Sequence, residues 1–263
     1  MEPTGKILVE RKGPIATITF NDPATLNALT QDFLTKFWWI LQELSTDDIV
    51  KVVILTGTGK AFVAGADIAY MSALTPCEAA HYARDTVEIY RMMNQMEKVF
   101  IAAVNGYALG GGCELAMACD LRVASLRAKF GLPEVSLGIF PGGGGTQRLP
   151  RLVGDTWAKE LIFTGDAISA QRAETIGLVN AVSQPEELMN TAYALAHRIL
   201  RNSQSAVALA KRSINGGRQM GLDAAIDRDQ SLFGLCFGSE DQKEAMQAFL
   251  EKRPAAFRHQ LID

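Results

Sequence analysis

The sequence has few of the residues from which metal centres and nucleophilic triads are built. It contains three histidines and four cysteines in 263 residues, without an HExxH or a CxxC pattern. His81, His197 and His259 lie in segments of helical pattern, far from any glycine turn. These absences argue against a catalytic metal site, a Ser-His-Asp triad and a disulfide framework. The cysteines are therefore predicted to be reduced and packed. They are Cys77, Cys113, Cys119 and Cys236.

Long hydrophobic runs and an excess of basic charge are also missing. No apolar stretch approaches the roughly 20 residues of a membrane span, and the first residues lack the basic start and apolar run of a signal peptide. The formal net charge is −3, and the lysines and arginines are scattered along the chain. The sequence therefore predicts a cytoplasmic protein that binds neither membrane nor nucleic acid.

Apolar residues make up 48% of the chain, which is enough for a substantial core. Residues 15–20 alternate apolar side chains with threonine and predict a half-exposed strand. Continuous apolar runs at 52–55 and 99–104 predict two buried strands. Because helical patterns separate these strands, the first half of the chain is expected to be α/β.

Helices are predicted between the strands and throughout the C-terminal third. Thr30 is placed to cap the first helix, and residues 76–97 and 114–120 continue the helical pattern. After about Thr156 strand signals become rare, and apolar residues recur at helical spacing. We therefore predict a core domain over residues 1–195, which carries the site, and a helical C-terminal region over 196–263.

Glycine-rich segments invite nucleotide-binding interpretations, which the residues do not support. Gly57-Thr-Gly59-Lys60 follows a predicted strand, as a phosphate-binding loop would. Position 54 is isoleucine rather than the first glycine of that loop, and Ala61 replaces its magnesium-binding Ser or Thr. Phe62 likewise breaks a dinucleotide-binding GxGxxG pattern. Neither kind of nucleotide site is expected.

Two glutamates stand next to glycine-rich backbone. Glu114 ends the segment Asn105-Gly-Tyr-Ala-Leu-Gly-Gly-Gly-Cys-Glu, and Glu134 ends Leu132-Pro-Glu, ahead of a glycine run at 142–145. Glycines let the main chain approach a ligand closely, and a helix that begins at such a turn presents unpaired N–H groups. The pattern predicts two carboxylates beside an anion-binding cradle.

The neighbours of both glutamates are apolar, so partial burial should raise their pKa values toward the working pH and suit them to proton transfer. A purely structural role for the two glutamates accounts equally well for their spacing in the sequence. A glycosidase would also use two carboxylates. No aromatic platform for a sugar flanks either glutamate, which argues against that class.

A third segment, Lys60-Ala-Phe-Val-Ala-Gly-Ala-Asp-Ile68, directly follows a predicted buried strand. Together with the two glutamate segments it gives a specific pattern, and from about residue 7 onward the chain resembles the enoyl-CoA hydratase/isomerase superfamily, the crotonases. The resemblance implies a spiral of ββα repeats. It also implies a helical C-terminal region that mediates assembly into trimers, often paired as hexamers.

The resemblance also implies the chemistry, hydration of a 2-enoyl-CoA to the 3-hydroxyacyl-CoA, as in fatty-acid or related acyl-CoA degradation. The backbone amides of Ala66 and Gly111 would form the oxyanion hole for the thioester oxygen. Glu114 would accept the proton of the attacking water, Glu134 would deliver a proton to the α-carbon, and the Gly142 amide would position the water. No cofactor or metal is implied, because CoA is part of the substrate.

The same resemblance assigns substrate contacts and shows departures. Phe140 stands where many relatives have a smaller aliphatic residue, which alters or shortens the acyl pocket. Lys252 matches a lysine that reaches CoA across a subunit interface. Many relatives carry lysines near Ala24 to Leu26 and at Ala69, so direct contacts to the CoA phosphates should be fewer. The residues expected along the CoA channel are Ala28, Leu29, Ala64, Asp67 and Ile68.

Alternatives within the family remain open. Isomerisation of the double bond is the first rival, because some members keep both carboxylates and shift double bonds or act on unusual acyl groups. A member that binds acyl-CoA or RNA without turnover is the second, although the acidic balance of the chain argues against RNA.

Overall fold

The computed structural model describes residues 5–257, and their ten strands form two sheets. Most strands are short because each ends where a glycine or a polar residue turns the chain toward the next element. The strands are β1 Ile7–Lys12, β2 Ile15–Phe20, β3 Val52–Gly57, β4 Ala61–Ala64, β5 Val99–Val104, β6 Tyr107–Leu109, β7 Leu121–Ser125, β8 Lys129–Gly131, β9 Ile168–Ser169 and β10 Ala181–Ser183.

The larger sheet has the order β1-β2-β3-β5-β7-β10, and the smaller sheet has the order β4-β6-β8-β9. Apart from the antiparallel β1·β2 and β8·β9 pairs, all neighbouring strands are parallel. From β3 to β8, the first strand of each successive pair enters the larger sheet and the second enters the smaller one, with helices following each pair. This is the predicted spiral of ββα repeats.

Helices cover the sheets and make up the C-terminal third. The Thr30 hydroxyl accepts a hydrogen bond from the Phe33 N–H, so the predicted cap of the first helix is confirmed. Among residues 5–257, no helix combines the length and the apolar character needed to cross a membrane. The helices are α1 Gln31–Ser45, α2 Ile68–Met71, α3 Pro76–Gln95, α4 Gly111–Ala118, α5 Gly145–Val153, α6 Asp155–Thr164, α7 Ala170–Thr175, α8 Leu188–Leu200, α9 Gln204–Gly217, α10 Leu222–Cys236 and α11 Glu240–Leu250.

Strand β2 is buried on both faces, and the prediction of a half-exposed strand was wrong. Ile18 and its alternate neighbours face the main core, whereas Ile15 lies in a second core under α8. The Thr17 hydroxyl is 2.9 Å from the Tyr193 hydroxyl of that helix and is only 7% exposed. The threonine hydroxyl therefore contacts a helix that covers the sheet. The alternation of apolar residues and threonine along the strand is the same whether the threonine contacts a helix or water.

The predicted division at residue 195 falls inside helix α8. Leu188, Ala192, Ala196 and Leu200 form its buried face and pack on the larger sheet, so the whole helix belongs to the core. Helix α9 also contacts the core, because Lys211 binds carbonyls of two core segments and the carboxylate of Asp120. The region with little apolar contact to the core therefore begins later than predicted, with α10.

Groups that could form a disulfide or hold a metal are dispersed in the described part of the chain. All four cysteines are free thiols, of which Cys113 and Cys119 are buried. Cys77 is exposed, so the prediction of a packed thiol was wrong at this position. Residues 5–257 hold no group of three His, Cys, Asp or Glu side chains arranged for a metal. His259 lies outside the described residues.

Candidate active site

A cavity of about 740 Å³ opens where the smaller sheet meets α3, α4 and the loop before α5. Glu114 and Glu134 both line it, so the fold brings together two carboxylates that lie twenty residues apart in sequence. Apolar side chains form most of the remaining wall. The cavity thus combines an apolar chamber with a few polar groups, which is typical of a small-molecule site.

Glu114 lies in the first turn of α4 and is 3% exposed. Its Oε1 accepts a hydrogen bond of 2.7 Å from the Gly145 N–H at the start of α5. Burial raises the pKa of this carboxyl, while the amides of Gly145 and Gly143 and the guanidinium of Arg148 act in the opposite direction. The carboxyl is therefore desolvated but oriented by groups that stabilise its ionised form.

The glycine run before α5 is needed because the backbone lies directly against Glu114. A Cβ at Gly143 would stand 2.4 Å from Glu114 Oε2, and one at Gly145 would stand 3.0 Å from Oε1. Any side chain at Gly143 would displace the carboxylate or the loop. These glycines therefore serve close approach to a carboxylate of the same chain.

Glu134 lies in a single 3-10 turn, Pro133–Leu137, opposite the start of α4. Within residues 5–257, its buried Oε2 has no hydrogen-bond partner. Burial, with a further contribution from the charge of Glu114, raises the pKa of Glu134 to about 7. Gly110 adopts a φ of 52°, and a Cβ there would stand 3.2 Å from Glu134 Oε1. This carboxyl can hold a proton near neutral pH and release it into the cavity.

Two backbone N–H groups complete the site. Gly111 is the first residue of α4, and Ala66 follows β4, whose end pairs with the end of β6 just before α4. Neither N–H donates a hydrogen bond within residues 5–257. The Tyr90 hydroxyl donates a hydrogen bond of 3.0 Å to the Gly111 carbonyl, which fixes the orientation of the adjoining peptide. Free amides at a helix N-terminus can stabilise a developing negative charge.

The wall that carries Ala66 is held by pairing with the segment before α1. Leu29 N–H donates to the Gly65 carbonyl at 3.0 Å, and Ala64 N–H donates to the Leu26 carbonyl at 3.0 Å. The Tyr82 hydroxyl of α3 then donates to the Leu29 carbonyl at 3.0 Å. These bonds fix the backbone on which an oxyanion hole would depend.

Most of the predicted site residues meet at this cavity, and three do not line it. The Asp67 carboxylate accepts a hydrogen bond from the Tyr70 N–H and so caps α2. Ala28 is half-buried and is not among the lining residues, and Lys252 is exposed just beyond α11. Gly142 lines the cavity, but the amides that act on Glu114 are those of the glycines that follow it. The other predicted residues along the cavity are Leu29, Ala64, Ala66, Ile68, Gly111 and Phe140.

Sequence reasoning missed the groups that support the glycine run from behind. Arg148 donates a hydrogen bond of 2.8 Å to the Gly143 carbonyl, and its guanidinium lies 5.5 Å from the centre of the Tyr90 ring. An arginine soon after a glycine run was the only signal that the sequence offered. The carbonyl that Arg148 contacts depends on how α5 packs against α3. The spacing of residues along the sequence does not show this packing.

The sequence as a whole matches a known family. A family model described as Enoyl-CoA hydratase/isomerase matches residues 10–260. The chain belongs to this family. It is 50% identical to a short-chain-enoyl-CoA hydratase of Clostridium acetobutylicum over 248 residues, which cover 94% of this chain and 95% of that protein. It is also 50% identical to a crotonyl-CoA hydratase of Syntrophomonas wolfei over 252 residues, 95% of this chain and 97% of that one.

Solved structures agree with this hydratase/isomerase assignment. The enoyl-CoA hydratase of Bacillus anthracis superposes with a TM-score of 0.92 at 38% identity, covering 97% of this chain and 100% of that one. One from Geobacillus kaustophilus gives 0.92 at 40% identity, covering 97% and 98%. The predicted family and crotonase fold are confirmed, and the predicted activity agrees with the names of both half-identical relatives.

Proposed function

We propose that this protein adds water across the double bond of a short-chain 2-enoyl-CoA and forms the 3-hydroxyacyl-CoA. One observation carries the proposal: two buried carboxyl groups with different partners face one apolar cavity. Glu114 is hydrogen-bonded to a backbone amide, whereas the buried Glu134 Oε2 has no partner within residues 5–257. The names of the two half-identical relatives supply the substrate class.

In the proposed reaction Glu114 acts as the base. Its ionised carboxylate accepts a proton from water as the water oxygen bonds to the β-carbon of the substrate. The Gly145 amide holds this carboxylate in place, and Arg148 opposes the rise of its pKa, so both favour the ionised form that the step requires.

Glu134 acts as the acid. As the C–O bond forms, the electron pair of the double bond moves toward the thioester carbonyl, and the α-carbon then takes a proton from Glu134. A pKa of about 7 keeps a substantial fraction of this carboxyl protonated at neutral pH. Proton exchange from Glu114 back to Glu134, directly or through water, restores both groups for the next turnover.

The N–H groups of Ala66 and Gly111 hold the thioester oxygen while it carries the negative charge of the enolate. Their fixed orientation requires no rearrangement during the reaction, and one donor of this kind typically contributes about 3–4 kcal/mol to transition-state stabilisation. Phe140, at the cavity edge, contributes to the wall beside the acyl chain. Because the donors are backbone groups, this part of the site depends on the turns that place them.

CoA is expected to extend outward past Leu29, Ala64 and Ile68. Lys252 does not line the cavity of its own chain, so we propose that it meets the nucleotide end of CoA from a neighbouring copy in a trimer or hexamer. In such an assembly, Lys252 of one copy would reach the cavity of its neighbour, whose described lining residues include no lysine.

The direct test is hydration of crotonyl-CoA by the purified protein, followed by loss of the enoyl-thioester absorbance and by chromatography of the product. The proposal expects 3-hydroxybutyryl-CoA. A protein that binds crotonyl-CoA without consuming it would be a non-catalytic member of the family. Interconversion of 2-enoyl and 3-enoyl isomers without net hydration would instead identify an isomerase.

A further inference from the structure

A second large cavity lies behind the active site, between α3, α5, α9 and the start of α10. Its volume is about 950 Å³, and none of the residues that line it lines the active-site cavity. The two cavities approach each other at the glycine run, where Gly143 lines the active-site cavity and Gly144 lines this second cavity. We call this second space the basic cavity, because of the six arginines that line it: Arg91, Arg148, Arg151, Arg212, Arg218 and Arg228.

The basic cavity carries positive charge that carboxylates of residues 5–257 neutralise only in part. Of its arginines, only Arg91 has a carboxylate partner within residues 5–257, the neighbouring Glu88. Lys211, at the inner wall, is paired with Asp120. Glu97 is the one acidic residue among those that line the cavity in the described part of the chain. Five arginines of the described residues therefore line one cavity without an ion-paired carboxylate, although the charge of Glu114 acts on Arg148 from across the glycine run.

The contacts of these arginines leave donors available. Arg148, Arg151, Arg218 and Arg228 donate to backbone carbonyls of nearby helices or of the glycine run, which orients each side chain but does not compensate its charge. The Arg212 side chain has no hydrogen bond or ion pair within residues 5–257. Each planar guanidinium carries five N–H donors, so most donors around the cavity remain available.

We infer that the basic cavity binds a ligand that carries a diphosphate or longer polyphosphate group. The fork geometry of guanidinium matches phosphate oxygens, and arginines on four helices can bind several phosphates together. A volume of about 950 Å³ lies near the upper end of the range for small-molecule sites, so the cavity accommodates a nucleotide-sized molecule. The site is separate from the proposed position of CoA, which lies across the glycine run at the other cavity.

The test is calorimetric titration of the purified, assembled protein with inorganic pyrophosphate and, separately, with ADP. Arg151 and Arg212 are both exposed, and within residues 5–257 their side chains make no hydrogen bond or ion pair outside their own helix, so Arg151→Gln/Arg212→Gln should fold normally. The matched control, Arg198→Gln/Arg201→Gln, removes the same charge from exposed positions at the end of α8. Whichever probe binds more tightly identifies the inorganic or the nucleotide source.

We expect the wild type and the control to bind with equal affinity, and the cavity variant to bind at least about tenfold more weakly, because each charged hydrogen bond lost typically costs that much. Lys252→Ala should leave pyrophosphate binding unchanged. The inference is overturned if the wild-type assembly binds neither probe, as it would if a neighbouring copy filled the cavity with its own carboxylates. Equal weakening in the control pair, or loss of binding in Lys252→Ala, would also overturn it.

Discussion

Glu114 Oε1 accepts a hydrogen bond of 2.7 Å from the Gly145 N–H, across 31 residues of sequence. This contact joins the first turn of α4 to the first residue of α5, so the two glycine-rich segments form one site. The same contact distinguishes the surroundings of the two glutamates. Glu114 is held by an amide that favours its ionised form, whereas a buried oxygen of Glu134 has no hydrogen-bond partner among residues 5–257.

Both carboxyl groups should be required for turnover. Glu114→Gln and Glu134→Gln are each expected to lower kcat for crotonyl-CoA hydration by at least ~100-fold with little change in KM, because proton transfer typically contributes about 10²–10⁴ in rate. Glu174→Gln, an exposed residue of α7, is the control and should keep the wild-type rate. A near wild-type rate in either active-site variant, with an unchanged circular dichroism spectrum, would contradict the acid–base assignment.

The close approach of Gly143 to Glu114 gives a second test. Gly143→Ala places a Cβ 2.4 Å from Glu114 Oε2, so the carboxylate or the loop must move, and a displacement of about 1 Å can cost ~100-fold in rate. The matched control is Gly142→Ala, whose Cβ would meet Ala83 at an ordinary 3.6 Å. We expect kcat to fall strongly in the first variant and little in the second. Equal kcat values for the two variants would show that the glycine run does not set the carboxylate position.

The pH dependence of the reaction should reveal the proton on Glu134. Because the acid must be protonated in the free enzyme, kcat/KM should decline above about pH 7, approaching tenfold per pH unit. The residual activity of Glu134→Gln should lack this alkaline limb. A wild-type profile that stays flat to pH 9 would assign the proton donor to another group.

The contribution of Glu134 to the free energy of unfolding should fall as the pH rises. A carboxylate whose pKa is lowered by folding has the opposite effect. The unfolded chain ionises Glu134 near its ordinary pKa of 4.5, whereas the folded chain keeps the proton until about pH 7. The folded state thus binds more protons within this window, and the free energy of unfolding falls as the pH rises through it.

Replacement of Glu134 by glutamine should make the free energy of unfolding less dependent on pH. We expect the loss of unfolding free energy between pH 5 and pH 8 to shrink by about 1–2 kcal/mol, after allowance for partial solvent access. Urea unfolding at both pH values measures it, with Glu174→Gln as the control. An unchanged pH dependence in Glu134→Gln would mean that this carboxyl is solvated like a surface group.

Lys252 should affect substrate binding but not chemistry. Lys252→Ala is expected to raise KM for crotonyl-CoA about two- to fivefold at low ionic strength, the usual size of an exposed charge pair, and to leave kcat unchanged. Added salt should reduce the difference from wild type. Lys243→Ala, on the exposed face of α11, is the control. An unchanged KM at low salt, or a fully active monomer in sedimentation, would exclude a contribution across subunits.

The sequence by itself determined the family, the alternation of strands and helices in the first half of the chain, and the two glutamates predicted to act as acid and base. These are encoded locally, in glycines beside apolar strands, in the Thr30 cap and in the three segments that recur together. The tertiary structure decided that β2 is buried on both faces and that α8 packs on the larger sheet. Alternation along one strand does not show whether its second face contacts water or a helix.

Only the tertiary structure decided the chemical state of the site. It placed the Gly145 amide on Glu114, left an oxygen of Glu134 without a partner in the described part of the chain, and brought Arg148 behind the glycine run. Each of these relations depends on the meeting of separate helices and turns, and a pKa depends on burial and on charges that surround a group in space. The sequence therefore supplies the two carboxyl groups, and the packing of the segments around them determines how their pKa values are shifted.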